Sequence, residues 1–390
     1  MRIGLITGEY PPDQGGVGDF TCELGKALAA LGHDVHAITC KWQVASSNPP
    51  ISDLQSPIPL HREIAGWGWG CWKQVLHLAQ QEQLDVLNVQ FQTAAYGMHP
   101  AIHFVPRRKS RPPVAVTFHD LKVPYLFPKA GPLRWRAVEM LARRAEGVIV
   151  TNVEDEIKIS NLQPPISSLV RIPIGSNIAP RLPAGYDRDA WRARWGIGPG
   201  DLLLGYFGFL NERKGGEDLV EVLAMLAARG FGAHLLFIGG RVGSSDPTNV
   251  AYAQRVGRLI AKRGLTERVH QTGFVPPEEV SASLGAVDVC VLPYRDGVSL
   301  RHGSMHACLA HGRPIVTTRP AVETPEFRDG ETVLLAPPGD VAALADGVAK
   351  LASDADLRAR LEVGAAALAQ TFTWDRIAAR TAEFLAGLVG

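Results

Sequence analysis

The chain has 390 residues, of which 46% are hydrophobic and 20% charged, with 40 Lys/Arg against 39 Asp/Glu. That composition excludes disorder and a generally basic nucleic-acid binder, and the length exceeds what one core usually organises, so two domains of about 180 residues each are expected. No run reaches the length of apolar sequence that spans a bilayer, and Cys22, Cys40, Cys71, Cys290 and Cys308, odd in number and without a CxxC pair, argue against both a disulfide framework and a zinc site and read as small core residues.

The opening MRIGLITGEYPP is too short an apolar run for a secretory h-region and predicts a first buried strand over residues 2–7, which makes a cytoplasmic protein the expectation. A helix from about Phe20 to Ala30 and a strand over residues 34–39 complete a βαβ start. Between strand and helix, PPDQGGVGDF carries Gly15, Gly16 and Gly18. Their backbone amides would approach a ligand closely near a helix N-terminus, although a tight strand-to-helix turn explains the same glycines equally well. The Trp-rich GWGWGCW at 66–72 offers rings that would stack on a sugar or, the favoured reading, pack in the core.

Apolar runs over 85–89, 114–118 and 147–151 fit strands buried on both faces, as parallel sheets require. The motif VTFHD sets His119 and Asp120 at the carboxyl end of one such strand, where a histidine hydrogen-bonds a sugar hydroxyl or is satisfied by nearby backbone. Residues 101–150 carry ten Lys/Arg against Asp120, Glu139 and Glu146. The cluster Arg107, Arg108, Lys109, Arg111 and the later Arg134, Trp135, Arg136, Arg143, Arg144 form a candidate contact with anionic lipid headgroups, set against the simpler reading of a solvated helix face. Over residues 173–198 the periodicity dissolves into a Pro/Gly/Arg-rich segment that reads as a linker.

A second alternation follows: strand 202–207, helix 217–229, strand 234–238, helix 249–263, strand 269–272. Both halves are therefore predicted to be doubly wound, and ligands in such sheets bind outside the carboxyl ends of the strands. In GYFGFLNERKGGEDL, the chain leaves a strand through Gly208 into a polar turn with Asn211, Arg213 and Lys214. A cation there would neutralise a diphosphate leaving group, and one of the two is expected to be merely solvated. In VLPYRDGVSLRHGSMHACLAHGRPIVTT, a strand ends at Pro293 and a helix begins near Gly303. The amides of His302, Gly303 and Ser304, with Arg301 adjacent, form a candidate pyrophosphate cradle.

Together EYPPDQGGVGDF, VTFHD, GFLNERKG, QTGFVPPEEV and AHGRPIVTT with PEFRDGETVLLAPPGD resemble the family 4 glycosyltransferases over nearly the whole chain. The resemblance implies an α/β GT-B fold of two facing Rossmann-like domains, 1–178 for the acceptor and 196–373 for the nucleotide-sugar donor. The closing FTWDRIAARTAEFLAGLVG, 374–390, is similar to the family's helix that crosses back to the first domain. It further implies hexosyl transfer with retention, without metal or other cofactor, from a UDP- or GDP-linked donor to a glycan, lipid-linked sugar or small molecule. Carried over by position, Gly15 and Gly16 would lie near donor phosphates and sugar, His119 on the sugar, Lys214 on the diphosphate, and Gly273 and Phe274 beside the nucleobase.

Two departures stand out. Aligned on the turn before Pro314, the family's Glu-x7-Glu positions fall on Ser299 and Ala307, and Phe209 replaces an arginine that often follows the glycine. Asp296, Ser299 and Arg301 are expected to take over some donor contacts. The missing carboxylates also keep a non-catalytic nucleotide-sugar binder as the alternative. A nicotinamide oxidoreductase is opposed by the lack of GxGxxG after the first strand, and a periplasmic sugar-binding module by the lack of a leader. The strings Asp187-Arg188-Asp189 and Asp354-Ala355-Asp356 read as chance matches to a metal-binding DxD, and His99 with His103 has no evident third ligand.

Overall fold

The computed structural model describes residues 1–13, 15–41, 56–106, 111–121, 131–240 and 247–390. The chain divides into two compact units, Met1–Gly175 with Thr373–Gly390, and Ser176–Phe372.

In the first unit the chain runs β1 (Arg2–Thr7), α1 (Gly16–Ala30), β2 (Asp34–Cys40), β3 (Leu60–Ile64), α2 (Cys71–Gln81), β4 (Val86–Phe91), β5 (Val114–Phe118), α3 (Gly131–Arg144), β6 (Gly147–Val150), α4 (Val153–Ser160) and β7 (Leu169–Arg171). Among the described residues the strands form one parallel sheet in the order β3-β2-β1-β4-β5-β6-β7. Successive residues serve opposite faces: Ile3 and Leu5 pack with Phe20, Leu24 and Leu28 of α1, while Ile6 packs with Val75 and Leu78 of α2. Burial on both faces explains why these strands are continuous apolar runs.

Helix α1 begins at Gly16, four residues before the predicted start. Gly15 at the N-cap has no side chain to offer; the carboxylate of Glu9 accepts the amides of Val17 and Gly18 instead, at 3.1 and 3.3 Å. A carboxylate at that position satisfies first-turn donors and favours the helix dipole.

The second unit contains α5 (Arg188–Ala193), β8 (Leu202–Phe207), α6 (Gly216–Ala228), β9 (Ala233–Ile238), α7 (Pro247–Lys262), β10 (Val269–Gln271), α8 (Pro277–Ala286), β11 (Val289–Leu292), α9 (Gly303–Ala310), β12 (Ile315–Thr318), β13 (Leu334–Ala336), α10 (Val341–Ser353) and α11 (Ala355–Ala369). Its parallel sheet has the order β10-β9-β8-β11-β12-β13. The last helix, α12 (Trp374–Val389), returns to the first unit, where Ile377, Ala378 and Leu385 join the core beside α1.

Most of the expected linker is not one. Ile178 and Ile197 belong to the second core, and Arg192 is wholly buried, donating to Asp288 Oδ2 at 2.9 Å and to the Asp201 carbonyl at 2.6 Å. An arginine anchor carries no hydrophobic period, so pattern reading places it outside. The basic region also differs from a uniform solvated face. Arg107, Arg108 and Lys109 lie outside the described residues, as does the Arg134 side chain, but Arg143 is tied to Glu139 and to the Gln163 and Pro164 carbonyls, and Arg144 lies over the Phe104 ring. Trp135 packs against the core, whereas Leu133 and Arg136 are exposed. Trp67 is buried and edge-on to Tyr96; Trp69, 71% exposed, departs from the core-packing expectation. Among the described residues no helix is long and apolar enough to cross a membrane.

Candidate active site

In the second sheet the strand order reverses between β8 and β11, and the loops leaving those strands carry the chemistry. Such a switch point is where open α/β sheets bind ligands. After β8 the chain passes Gly208, whose φ of +114° suits glycine alone, and turns through Asn211 to Lys214. Asn211 caps that turn by accepting the Lys214 amide at 3.0 Å, a role that orients the lysine. Gly215 closes the turn at φ +68°, so near the next loop that a Cβ there would lie 2.2 Å from the Pro293 carbonyl oxygen.

Lys214 is half-buried, and among the described residues no carboxylate pairs with it; desolvation lowers its pKa to about 8. A Cβ on Gly208 would stand 3.5 Å from Lys214 Nζ and 3.8 Å from the Ser304 Cβ. The ammonium, the bare strand end and the first turn of α9 therefore enclose one small region. Arg213 is exposed and its carbonyl accepts the Arg295 amide at 2.8 Å, so it is the solvated member of the pair.

Helix α9 has His302 at its N-cap with no side-chain cap, which leaves the amides of Gly303 and Ser304 without intrahelical acceptors. Several contacts fix this end. The Tyr294 ring stacks on His302 at 3.9 Å, the Tyr294 and Ser304 hydroxyls lie 2.6 Å apart, and His302 Nδ1 accepts the Ser299 amide at 3.2 Å. His306 is buried and edge-on to Phe372; burial lowers its pKa to about 4, so the ring is neutral and its Nε2–H donates to the Leu300 carbonyl at 2.8 Å. Ser299 and Ala307 are wholly buried, and Arg301 is nearly so, with Nη2 3.8 Å from Asp296 Oδ2. The loop over 296–301 thus supports the helix end from within more than it presents side chains outward.

Sequence reasoning missed the clamp between the two loops. Arg295 donates to both oxygens of Asp218 at 2.9 and 2.8 Å, binding the loop after β11 to the start of α6 and the Lys214 turn. The Asp218 hydrogen bonds raise the arginine's pKa still further above its ordinary value. The partners are far apart in sequence, so no local pattern announces them. On the outer strands, Gly239 and Gly273 form a bridge, and the Gly239 amide donates to Thr272 Oγ1 at 2.9 Å. Gly273 has φ +70°, and the following Phe274 is 76% exposed, a ring face at the carboxyl end of β10.

In the first unit the reversal falls between β1 and β4. Gly16 is exposed with open space around it, but the amide of Gly18 is already taken by Glu9, and Gly18 is buried against the Glu9–Tyr10 backbone. Burial raises the Glu9 pKa, so this internal anion is held at some cost. His119 stands edge-on to Phe20 at 4.7 Å, and its Nε2–H donates to Gln90 Oε1 at 2.9 Å. Desolvation lowers its pKa to about 3. A neutral ring with Nε2 committed as a donor leaves Nδ1 as a hydrogen-bond acceptor. Behind it, Thr151 Oγ1 donates to the Phe118 and His119 carbonyls, and Asp155 accepts the Leu121 amide. The two DxD strings are helix caps: Asp187 accepts the Ala190 amide and Asp354 the Leu357 amide.

Two family models match the chain: one described as "Glycosyltransferase Family 4" over residues 14–154 and one as "Glycosyl transferases group 1" over residues 201–354. A D-inositol 3-phosphate glycosyltransferase from Nocardia farcinica is 25% identical over 96% of this chain and 84% of its own length. A phosphatidyl-myo-inositol mannosyltransferase from Mycobacterium leprae is 26% identical over 97% and 95%. Among solved structures, sucrose-phosphate synthase from Thermosynechococcus elongatus superposes with a TM-score of 0.78 at 22% identity over 100% of this chain and 99% of that one. HepE of Anabaena, solved with UDP and glucose, superposes with a TM-score of 0.78 at 19% identity over 99% and 100%. These structural neighbours show the GT-B fold.

Proposed function

Because this chain is a glycosyltransferase of the family 4, group 1 type, we propose that it transfers a hexosyl group from a UDP-linked donor, with retention and without a metal. The observation that carries the donor assignment is the meeting of Lys214 Nζ, the strand end at Gly208 and the first turn of α9. A diphosphate placed there gains an ammonium and two backbone donors in a desolvated setting, where each is worth more than in water. Phe274, in the same unit, would take a face of the nucleobase; within the first unit, the exposed Gly16 and the Nδ1 of His119 are groups suited to a sugar hydroxyl. The choice of UDP leans on the complex of HepE with UDP and glucose.

In the proposed reaction the acceptor oxygen bonds to the anomeric carbon as its bond to the diphosphate breaks, and the acceptor proton passes to the departing phosphate oxygen. Lys214 stabilises the charge that grows there. No protein carboxylate is required as a nucleophile. The relatives named for inositol phosphates and phosphatidyl-inositol support a polyol or lipid-linked acceptor. A lipid-bound acceptor would be approached through the exposed Leu133 and Arg136, and vesicle sedimentation with and without anionic lipid tests that contact.

Calorimetric titration with UDP, GDP, ADP and dTDP, each with a chelator present, tests the donor reading. The expected result is a chelator-insensitive preference for UDP that Lys214→Met weakens at least tenfold. Equal weak binding of all four nucleotides, or full affinity in Lys214→Met, would overturn it.

A further inference from the structure

His36 on β2, His61 on β3 and Glu82, the residue that follows α2, converge at the opposite end of the first sheet from its carboxyl-terminal loops. One ligand atom from each lies within 4.8 Å of the other two, and among the described residues no other three His, Cys, Asp or Glu side chains do so. His36 Nδ1 and His61 Nε2 hydrogen-bond to each other at 2.9 Å, with the rings nearly parallel, and Glu82 Oε2 is 3.9 Å from His36 Nδ1. His36 is 7% exposed.

The outward nitrogens carry a second set of groups. His36 Nε2 lies 3.2 Å from Asp34 Oδ1, and His61 Nδ1 lies 3.7 Å from Glu63 Oε1. Metal-bound imidazoles commonly direct their free N–H at a carboxylate, which fixes the tautomer and strengthens the ligand. The two inward nitrogens share one hydrogen in the metal-free chain; a metal that displaced it would meet two imidazole lone pairs, with the outer N–H groups on the side of Asp34 and Glu63 and Glu82 supplying an anionic oxygen.

We propose that His36, His61 and Glu82 bind one zinc ion, with water in the fourth position. Two nitrogens and one oxygen are a zinc-type donor set, and ligand bonds of about 2.0–2.1 Å at tetrahedral angles set the nitrogens about 3.3 Å apart, a small opening from the 2.9 Å observed. The site ties β2 and the edge strand β3 to the chain entering β4, and the proposed sugar transfer remains free of metal.

The second unit holds its own control. His234 on β9 and His270 on β10 form a comparable stacked pair at 3.1 Å but gather no third ligand among the described residues.

The test uses the full chain, stripped with a chelator and titrated calorimetrically with zinc chloride in a non-coordinating buffer, with magnesium in parallel. One equivalent of zinc should bind with a rise in melting temperature, and magnesium should not. Glu82→Gln, at a position about one-third exposed, and His61→Gln, at a mostly covered one, should each weaken zinc at least tenfold. Glu63→Gln should weaken it about tenfold, and His270→Gln should leave it unchanged, with UDP affinity the same in all four. Cobalt substitution should give the visible absorption of a four-coordinate site, lost in Glu82→Gln. Failure to bind one equivalent, or unchanged zinc affinity in both Glu82→Gln and His61→Gln, overturns the proposal without touching the donor reading, because the UDP titration is scored separately.

Discussion

Lys214 owes its usefulness to being only partly compensated by its surroundings. Desolvation has brought its pKa to about 8, so the free enzyme begins to lose this charge just above neutrality, while a bound diphosphate would hold the proton on. The affinity for UDP should be flat below pH 8 and fall about tenfold per unit above it, by proton linkage. Titrations from pH 6.5 to 9.5 test this, and Lys214→Met should show weak binding with no such slope. Two desolvated histidines, His119 and His306, act in the opposite pH range. His119 and His306 have folded pKa values lowered to about 3 and about 4 against 6.5 unfolded. Each group takes up a proton on unfolding between those limits, so the stability present above pH 6.5 is lost as the pH falls towards 4. Urea unfolding at pH 7 and at pH 5 should show the loss, and His306→Gln should reduce the slope for the second unit by about one proton.

Between elements, the decisive tie is the clamp from Arg295 to Asp218, which holds the Lys214 turn against the loop that leads into α9. Removing Arg295 leaves the buried Asp218 carboxylate without its bidentate partner, at a cost of about 2 kcal/mol. Arg295→Met should lower the stability of the second unit by that amount and weaken UDP binding beyond what global unfolding explains. Unchanged UDP affinity in the folded variant would separate the clamp from the site. This is also where legibility in the sequence ends. Strands such as β5 and β8, and the start of α9 at Gly303, could be read directly, because two-sided burial and glycine-marked turns are local signals. Lys214 and the α9 N-terminus could be named for the same reason. The Arg295–Asp218 clamp, the Glu9 carboxylate closing α1, and Gln90 fixing the tautomer of His119 all depend on residues brought together by folding. The three-residue strands β7 and β13 were not read either, whereas β10, equally short, was, because it continues a strand–helix alternation already established before it.

Across the whole molecule, the chain leaves the first unit at Gly175, completes the second, and returns at Thr373 to finish the first. The return is a matter of packing. Ile377, Ala378 and Leu385 of α12 are buried with Leu24 and Leu28 of α1, and Gly147 at the start of β6 is bare because a Cβ there would stand 2.8 Å from Phe384 and Leu388. The first core is therefore incomplete until the last residues are in place, whereas the second core closes by Phe372. Truncating Leu385 to alanine should cost about 3 kcal/mol, through lost burial and the cavity left behind. That loss should fall on the first unit alone, moving its unfolding transition to lower urea while the second unit's transition stays put. Nucleotide binding separates this from damage to the donor site: below the first transition, Leu385→Ala should bind UDP like the parent, because Lys214, Gly208 and the α9 N-terminus all lie in the second unit. A single shared transition that shifts as a whole would show instead that the two units unfold as one cooperative body.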